Sequence, residues 1–244
     1  MAQIGMEQIG VVERVWRYPI KSVGGESLRQ ADVDERGLVG DRVYAVRDAR
    51  GKLGSGKNSR RFTRMDGLLH LSSRLLSDAD EPVLLDVDGT AVPDANGFLR
   101  SYLNQDDVEL AREGEISHFD ELPVSVLTTA TLDWVRAAVP DVPVDERRFR
   151  PNLLVRTPPG CPPFLEDGWP GRAARIGNVR LTFVRSCVRC VMVNADQPTL
   201  PHSSDVLRTI AAGHDNCLGT LATVAAPGAI TVGDTVALES QDAL

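Results

Sequence analysis

The chain has 244 residues, 34 acidic and 27 basic, and a net charge of −7 with its histidines neutral. That length suits one or two domains with a real core, and 42% hydrophobic with 25% charged residues is a globular rather than a disordered composition. The acidic balance argues against a general nucleic-acid binder, and no apolar run approaches the roughly 18 residues of a membrane span. The start, MAQIGMEQIGVVERVW, shows no secretory leader. A cytoplasmic protein with neither nucleic-acid nor membrane partners is expected, its cysteines (Cys161, Cys187, Cys190 and Cys217) reduced.

In chain order, residues 11–17 read as a β-strand leading into Tyr18-Pro19. Residues 41–47 alternate and read as a strand, with a turn over 48–51 and a return at Lys52-Leu53. Residues 83–87 and Ala91-Val92 flank Asp88-Gly89 as a second hairpin. Residues 93–107 read as a surface connection. Residues 131–139 carry Leu132, Val135 and Val139 at helical spacing, with Pro140 as a stop. Residues 151–156 and 179–185 are strands, separated by 157–172, whose five prolines and three glycines exclude regular structure. Residues 205–212 read as a helix capped by Ser203-Ser204 and ended by Gly213. Strands at 221–225 and 230–238 complete the chain. Two spaced helices among many strands do not make a βαβ series, so a mainly β barrel is expected.

Basic side chains gather in short strings. Residues 55–64 hold Lys57, Arg60, Arg61 and Arg64 without a carboxylate; residues 147–156 hold Arg147, Arg148, Arg150 and Arg156, again without one. Lys21 precedes Ser22 and Gly24-Gly25. These are either solvated surface or groups that converge on a bound anion, which arginine forks suit.

Cys187-Val188-Arg189-Cys190 admits four readings. Structural zinc needs four ligands, and His202 and His214 lack the spacing to complete them. A thioredoxin-type pair belongs at a helix N-terminus, and Val191-Met192-Val193 favours strand or loop. Two small buried hydrophobes are the plain reading. The fourth is a single thiolate to a soft metal carried by an organic cofactor, with Arg189 favouring the thiolate and Asp196 near enough to relay a proton. His70 and His118 show no partner spacing, and Trp169 suits packing in the Pro/Gly-rich stretch.

Taken in order, Tyr18-Pro19-Ile20-Lys21-Ser22, Gly40-Asp41-Arg42, Arg148-Phe149-Arg150-Pro151-Asn152, the cysteine pair with Asp196, and the closing string at 227–234 resemble the MOSC domain family. The branch they resemble has an N-terminal MOSC β-barrel domain and includes the amidoxime-reducing components. The resemblance implies a MOSC-type β-barrel with a few helices plus an N-terminal β-barrel-like subdomain, divided at 8–100 and 101–244, the start of the chain contributing to the cofactor site.

It further implies a molybdenum cofactor, a pterin whose dithiolene holds the metal and whose tail is a phosphate. Cys190 is then the protein ligand to molybdenum, with Lys21, Ser22, Arg42, Arg150, Asn152, Val188 and Arg189 contacting the cofactor, Cys187 in support and Asp196 assisting proton delivery. Val193-Asn194 stands where members often have a threonine pair, which bears on substrate choice. The activity implied is reduction of N-hydroxylated or related oxygenated small molecules. Its electrons would come from an external ferredoxin-, flavin- or haem-type protein, since the chain has no iron–sulfur motif. Pyridoxal phosphate is not expected. The alternatives are a cofactor or sulfur carrier acting through Cys190 without turnover, and a β-barrel interaction domain without a cofactor.

Overall fold

The computed structural model describes residues 5–76 and 79–240. The chain opens with β1 (Met6–Arg17), whose β-branched residues bury Val12 and Val15. It continues through β2 (Glu26–Leu28), β3 (Gln30–Asp34), β4 (Gly37–Leu38), β5 (Tyr44–Arg47), β6 (Leu53–Ser55) and β7 (Phe62–Arg64). Next come β8 (Ser72–Arg74), β9 (Val83–Leu85), α1 (Ala95–Leu103) and β10 (Glu109–Arg112). The second half runs β11 (Val124–Thr128), α2 (Thr129–Ala138), β12 (Leu153–Arg156), β13 (Ala173–Ile176), β14 (Val179–Val188), α3 (Asp205–His214), β15 (Cys217–Ala226), β16 (Gly228–Thr231) and β17 (Thr235–Glu239).

The main sheet has the order β12-β11-β15-β14-β13-β17-β1, and a further pairing of β12 with β1 closes it into a barrel, with β2 extending beside β1. All its pairings are antiparallel except β11 with β12. The first strand thus closes a barrel otherwise built from the second half of the chain. Val12, Val126, Leu181, Phe183 and Trp169 fill its interior. Helices α2 and α3 cover one side through Leu132, Val135, Val206 and Ile210. The N-terminal module pairs its strands in the order β10-β5-β6-β7, around Ile20, Val46, Leu68 and Leu99. The fold is mainly β, with three α-helices among the described residues, none of them long and apolar enough to cross a membrane.

Several elements differ from the sequence reading. The surface connection at 93–107 contains α1: the Asp94 side chain accepts from Gly97 N at 2.9 Å, Leu99 is fully buried, and Asn104 ends the helix at φ 50°. Asn, Asp and Gly at its flanks mask an apolar stripe of Phe98, Leu99, Tyr102 and Leu103. The strand expected over 41–47 starts only at Tyr44, because Asp41 and Arg42 turn inward with Arg42 left-handed. The strand expected over 230–238 is two, parted by a turn in which Gly233 takes φ 99° and the Asp234 carboxylate accepts from Thr231 N. Helix α3 runs through Gly213, where a Cβ would meet the Trp134 indole at 2.7 Å, and ends at the left-handed Asp215.

Candidate active site

Where β1 ends, Tyr18 is buried, and its hydroxyl donates to Pro151 O at 3.2 Å. Two guanidiniums lie on its ring, that of Arg150 at 4.1 Å from the centroid and that of Arg42 at 4.9 Å. Beneath them Asp41 is fully buried; it accepts from Tyr18 N at 2.7 Å and from Asn152 Nδ2 at 3.1 Å, and it pairs with Arg42. Asn152 Oδ1 in turn accepts from the backbone N and the hydroxyl of Ser125, each at 3.1 Å. The Asn152 amide is therefore spent on the protein, as a strut between β1, β11 and Asp41.

Ser22, Arg42 and Arg150 adopt φ values of 61°, 53° and 50°. A non-glycine residue held in this left-handed region costs roughly 1–3 kcal/mol. Three in one cavity wall show that the packing around Tyr18 and Asp41 dictates where these side chains go.

The sulfur groups are placed by irregularities in β14, which shifts register against β15 between Phe183 and Arg185 and again between Ser186 and Val188. Such bulges re-aim side chains. Here they bury Cys187, whose thiol burial pushes up, and leave Cys190 half-buried at the start of a 3₁₀ turn, Val191–Asn194. Arg189 donates to Leu218 O at 2.9 and 2.6 Å and to Phe149 O at 2.7 Å, fastening the loop before Cys190. Arg148 is buried and bonds the carbonyls of Pro143, Val193, Ala195 and Pro201, fastening the segment after it.

These groups surround a cavity of about 480 Å³ where the barrel meets the N-terminal module. Lys21, Ser22, Arg42, Arg150, Asn152, Val188, Arg189 and Cys190 all line it. Lys21 Nζ pairs with Asp120 at 2.8 Å, and burial pushes its pKa down to about 8 against the pull of that carboxylate. Burial also brings Arg150 down to about 10. Its Nη1 donates to Val23 O at 2.7 Å, whereas its Nη2 is buried without a partner. From the loop between β6 and β7, Lys57 brings Nζ to 3.6 Å from Cys190 Sγ. Phe62, Phe119 and Met192 give the cavity apolar surface.

Asp196 is not brought to this cavity. The 3₁₀ turn carries it outward, where its exposed carboxylate pairs with His70 Nε2 at 2.7 Å and lies below its ordinary pKa, chiefly through that bond. Of the two basic strings, Lys57, Arg61, Arg148 and Arg150 reach the cavity. Arg64, Arg147 and Arg156 pair instead with Asp66, Asp145 and Glu13. Sequence reasoning missed Asp41 and Asp120, the carboxylates that order Arg42 and Lys21. Asp41 stood inside the Gly-Asp-Arg string, but nothing around Asp120 signalled it. His214 pairs with Asp167 at 2.6 Å and stacks on Phe164, and Trp169 packs against Phe183.

Fold and cavity together define a closed β-barrel protein with a cation-rich, thiol-bearing pocket beside a second β module. Residues 113–237 match the model of the MOSC domain, and residues 9–119 that of the MOSC N-terminal beta barrel domain. The chain belongs to the MOSC domain family. It is similar to the mitochondrial amidoxime-reducing component 1 of Mus musculus, at 25% identity over 97% of this chain and 84% of that protein. It also resembles a molybdenum cofactor sulfurase of Oryza sativa subsp. japonica, 31% identical over 44% of this chain and 13% of that protein. A solved structure described as a hypothetical protein shares the fold with a TM-score of 0.50 at 12% identity, covering 96% of this chain and 70% of that one.

Proposed function

We propose that the cavity holds a molybdenum cofactor and that the protein is an oxidoreductase reducing N-hydroxylated or related oxygenated small molecules, with electrons from an external protein donor. The observation that carries this reading is that one half-buried thiol, Cys190, lines the same cavity as Lys21, Arg42 and Arg150. The donor set suits the group. A single thiolate fits a metal already held by an organic dithiolene, and Lys21, Arg42 and Arg150 fit its phosphate. Names of relatives support the same direction, since those similar over most of the chain include amidoxime-reducing components.

When bound, the cofactor supplies two-electron oxygen-transfer chemistry that no side chain here can perform. The protein does the rest. Cys190 would hold the metal and Lys21 with Arg150 would take the anionic tail, while the buried Asp41 keeps Arg42 in place. Phe62, Phe119 and Met192 seat the apolar part of a substrate and limit water. In the net reaction the N–O bond breaks, an N–H bond forms, two electrons and two protons enter, and one water leaves. The electron donor is of ferredoxin, flavin or haem type. Asp196, paired with His70 away from the cavity, takes no part.

A carrier function through Cys190 is the second reading, favoured by the likeness of 109 residues to a molybdenum cofactor sulfurase. The test is molybdenum quantification in the native protein and in Cys190→Ala, with anaerobic assay of the loaded protein against N-hydroxy compounds and a reduced dye. Metal bound only in the native protein, with turnover, is expected. Full occupancy without turnover, and persulfide on Cys190, would hand the function to the carrier reading.

A further inference from the structure

We propose that Lys57 is the substrate-facing cation of this cavity and fits it to small molecules that place a negatively charged oxygen beside the bond to be reduced, hydroxamic acids before amidoximes. This rests on the reading of Cys190 as the metal ligand. The other cavity cations bond to the protein, and Lys21, Arg42 and Arg150 are those read above as holding the cofactor. Lys21 is paired with Asp120 and Arg42 with Asp41. Arg61 bonds the carbonyls of Ser117 and Phe119, and Arg148 and Arg189 are likewise spent on carbonyls. Arg150 is stacked on Tyr18 with one nitrogen on Val23 O. Among the described residues, Lys57 is the cavity cation whose hydrogen-bond partner is the Cys190 sulfur itself, at 3.6 Å, with its ammonium 5.1 Å from the centre of the Phe62 ring.

Packing puts it there. Ser55 Oγ donates to Met192 Sδ at 3.6 Å, and a Cβ on Gly56 would come within 2.9 Å of the same sulfur, so the loop lies directly on the turn that follows Cys190. Asn58 Oδ1 accepts from Arg64 N at 2.8 Å and fixes the loop's far side. Lys57 is thus a half-buried ammonium delivered to the sulfur by a fastened loop, not a surface lysine that happens to be near.

An ammonium at that point discriminates by charge. Reduction of a hydroxamate anion, the acid less its hydroxyl proton, breaks the N–O bond, takes up two electrons and three protons, and gives a neutral amide and water, the electrons coming from the external donor already named. The negative charge sits on the oxygen that leaves as water, and the product bears none. An amidoxime reduced in the same way gives an amidine, which takes up a proton and becomes a cation facing Lys57. The first is attracted and released; the second is repelled as it forms.

The test uses the full chain with Lys57→Met, Lys57→Gln and Lys57→Arg. In cofactor-free protein, alkylation of Cys190 by iodoacetate and by iodoacetamide is followed by peptide mass spectrometry. Both reagents attack the same sulfur, so their rate ratio cancels the thiolate fraction and reports charge selection alone. Removing the ammonium is expected to lower the iodoacetate-to-iodoacetamide ratio about three- to tenfold, with Lys57→Arg retaining it. In the loaded protein, kcat/KM for benzohydroxamic acid relative to benzamidoxime should fall by a similar factor while molybdenum content holds. An unchanged alkylation ratio overturns the proposal. Loss of molybdenum from the Met and Gln variants also overturns it, because Lys57 would then be holding the cofactor. If the loaded native protein reduces neither compound, the oxidoreductase reading fails, and the alkylation ratio alone decides whether Lys57 selects anionic molecules at Cys190.

Discussion

The guanidinium of Arg150 lies over the ring of Tyr18, 4.1 Å from its centre, although the two are 132 positions apart in the chain. Tyr18 thereby supports a charge that burial disfavours, and its hydroxyl, donating to Pro151 O, holds the backbone beside that charge. Burial also pushes the Tyr18 phenol far above its ordinary range, so it stays protonated and keeps donating. Tyr18→Phe should keep the stack, lose about 1 kcal/mol of stability and bind molybdenum normally. Tyr18→Leu should lose about 2–4 kcal/mol and much of the bound metal. Urea denaturation with metal analysis separates the two; equal metal loss in both would show that the hydroxyl, not the ring, matters.

Cys187 and Cys190 are three residues apart and both border the cavity, yet Cys187 is buried and Cys190 only half-buried. Cys190→Ser should leave stability within about 0.5 kcal/mol of the native protein and abolish molybdenum binding. Cys187→Ala should do the opposite, costing about 1 kcal/mol through lost packing and keeping the metal. Metal content measured beside thermal melts decides this, and parallel loss of metal in both variants would make the pair a unit.

Much of this could be read from the sequence because barrel strands advertise themselves through β-branched runs such as those around Val12 and Val179, and because the short strings at Lys21, Arg42, Arg150 and Cys190 do converge on one cavity. The failures have definite physical origins. No local pattern announces that Ser22, Arg42 and Arg150 are left-handed, since contacts from distant strands impose it. Proximity in sequence misled at Asp196, which a single 3₁₀ turn carries away from Cys190 to His70. Asp120 was invisible because its meaning is its contact with Lys21, 99 residues earlier. Helix α1 was hidden by its own caps, Asp94 and Asn104, which by composition resemble a loop.

Lys21 gives the cavity a pH dependence whose sign follows from its burial. Its folded pKa, about 8, lies below the ordinary 10.5, so the unfolded chain holds the extra proton between these values. Stability of the ligand-free protein should therefore rise with pH across that window, by about 3 kcal/mol at most, and Lys21→Met should flatten the rise. An anion needs the charged form. Sulfate, whose charge is constant over the range, should bind about tenfold more weakly at pH 9 than at pH 7 in the native protein, as expected for loss of one proton. Titration calorimetry of both proteins checks this, and equal pH dependence in Lys21→Met would remove Lys21 from the anion site.

Glu166 runs the opposite way. It is fully buried in the Pro/Gly-rich segment, with the hydroxyls of Thr128 and Thr131 each 2.9 Å from Oε2 and no ion-pair partner among the described residues. Burial raises its pKa above the ordinary 4.5 more strongly than those donors lower it. The native state consequently holds a proton that the unfolded chain has released above pH 4.5, and this contribution to stability is present in full below that value and lost as pH rises through the folded pKa. Glu166→Gln stays neutral and can still accept from both threonines. The variant should match the native protein near pH 4 and melt at a higher temperature at pH 8. Melting curves at the two values test it, and a Gln variant that melts lower at pH 8 would mean that the ionised carboxylate is the form these threonines are arranged to hold.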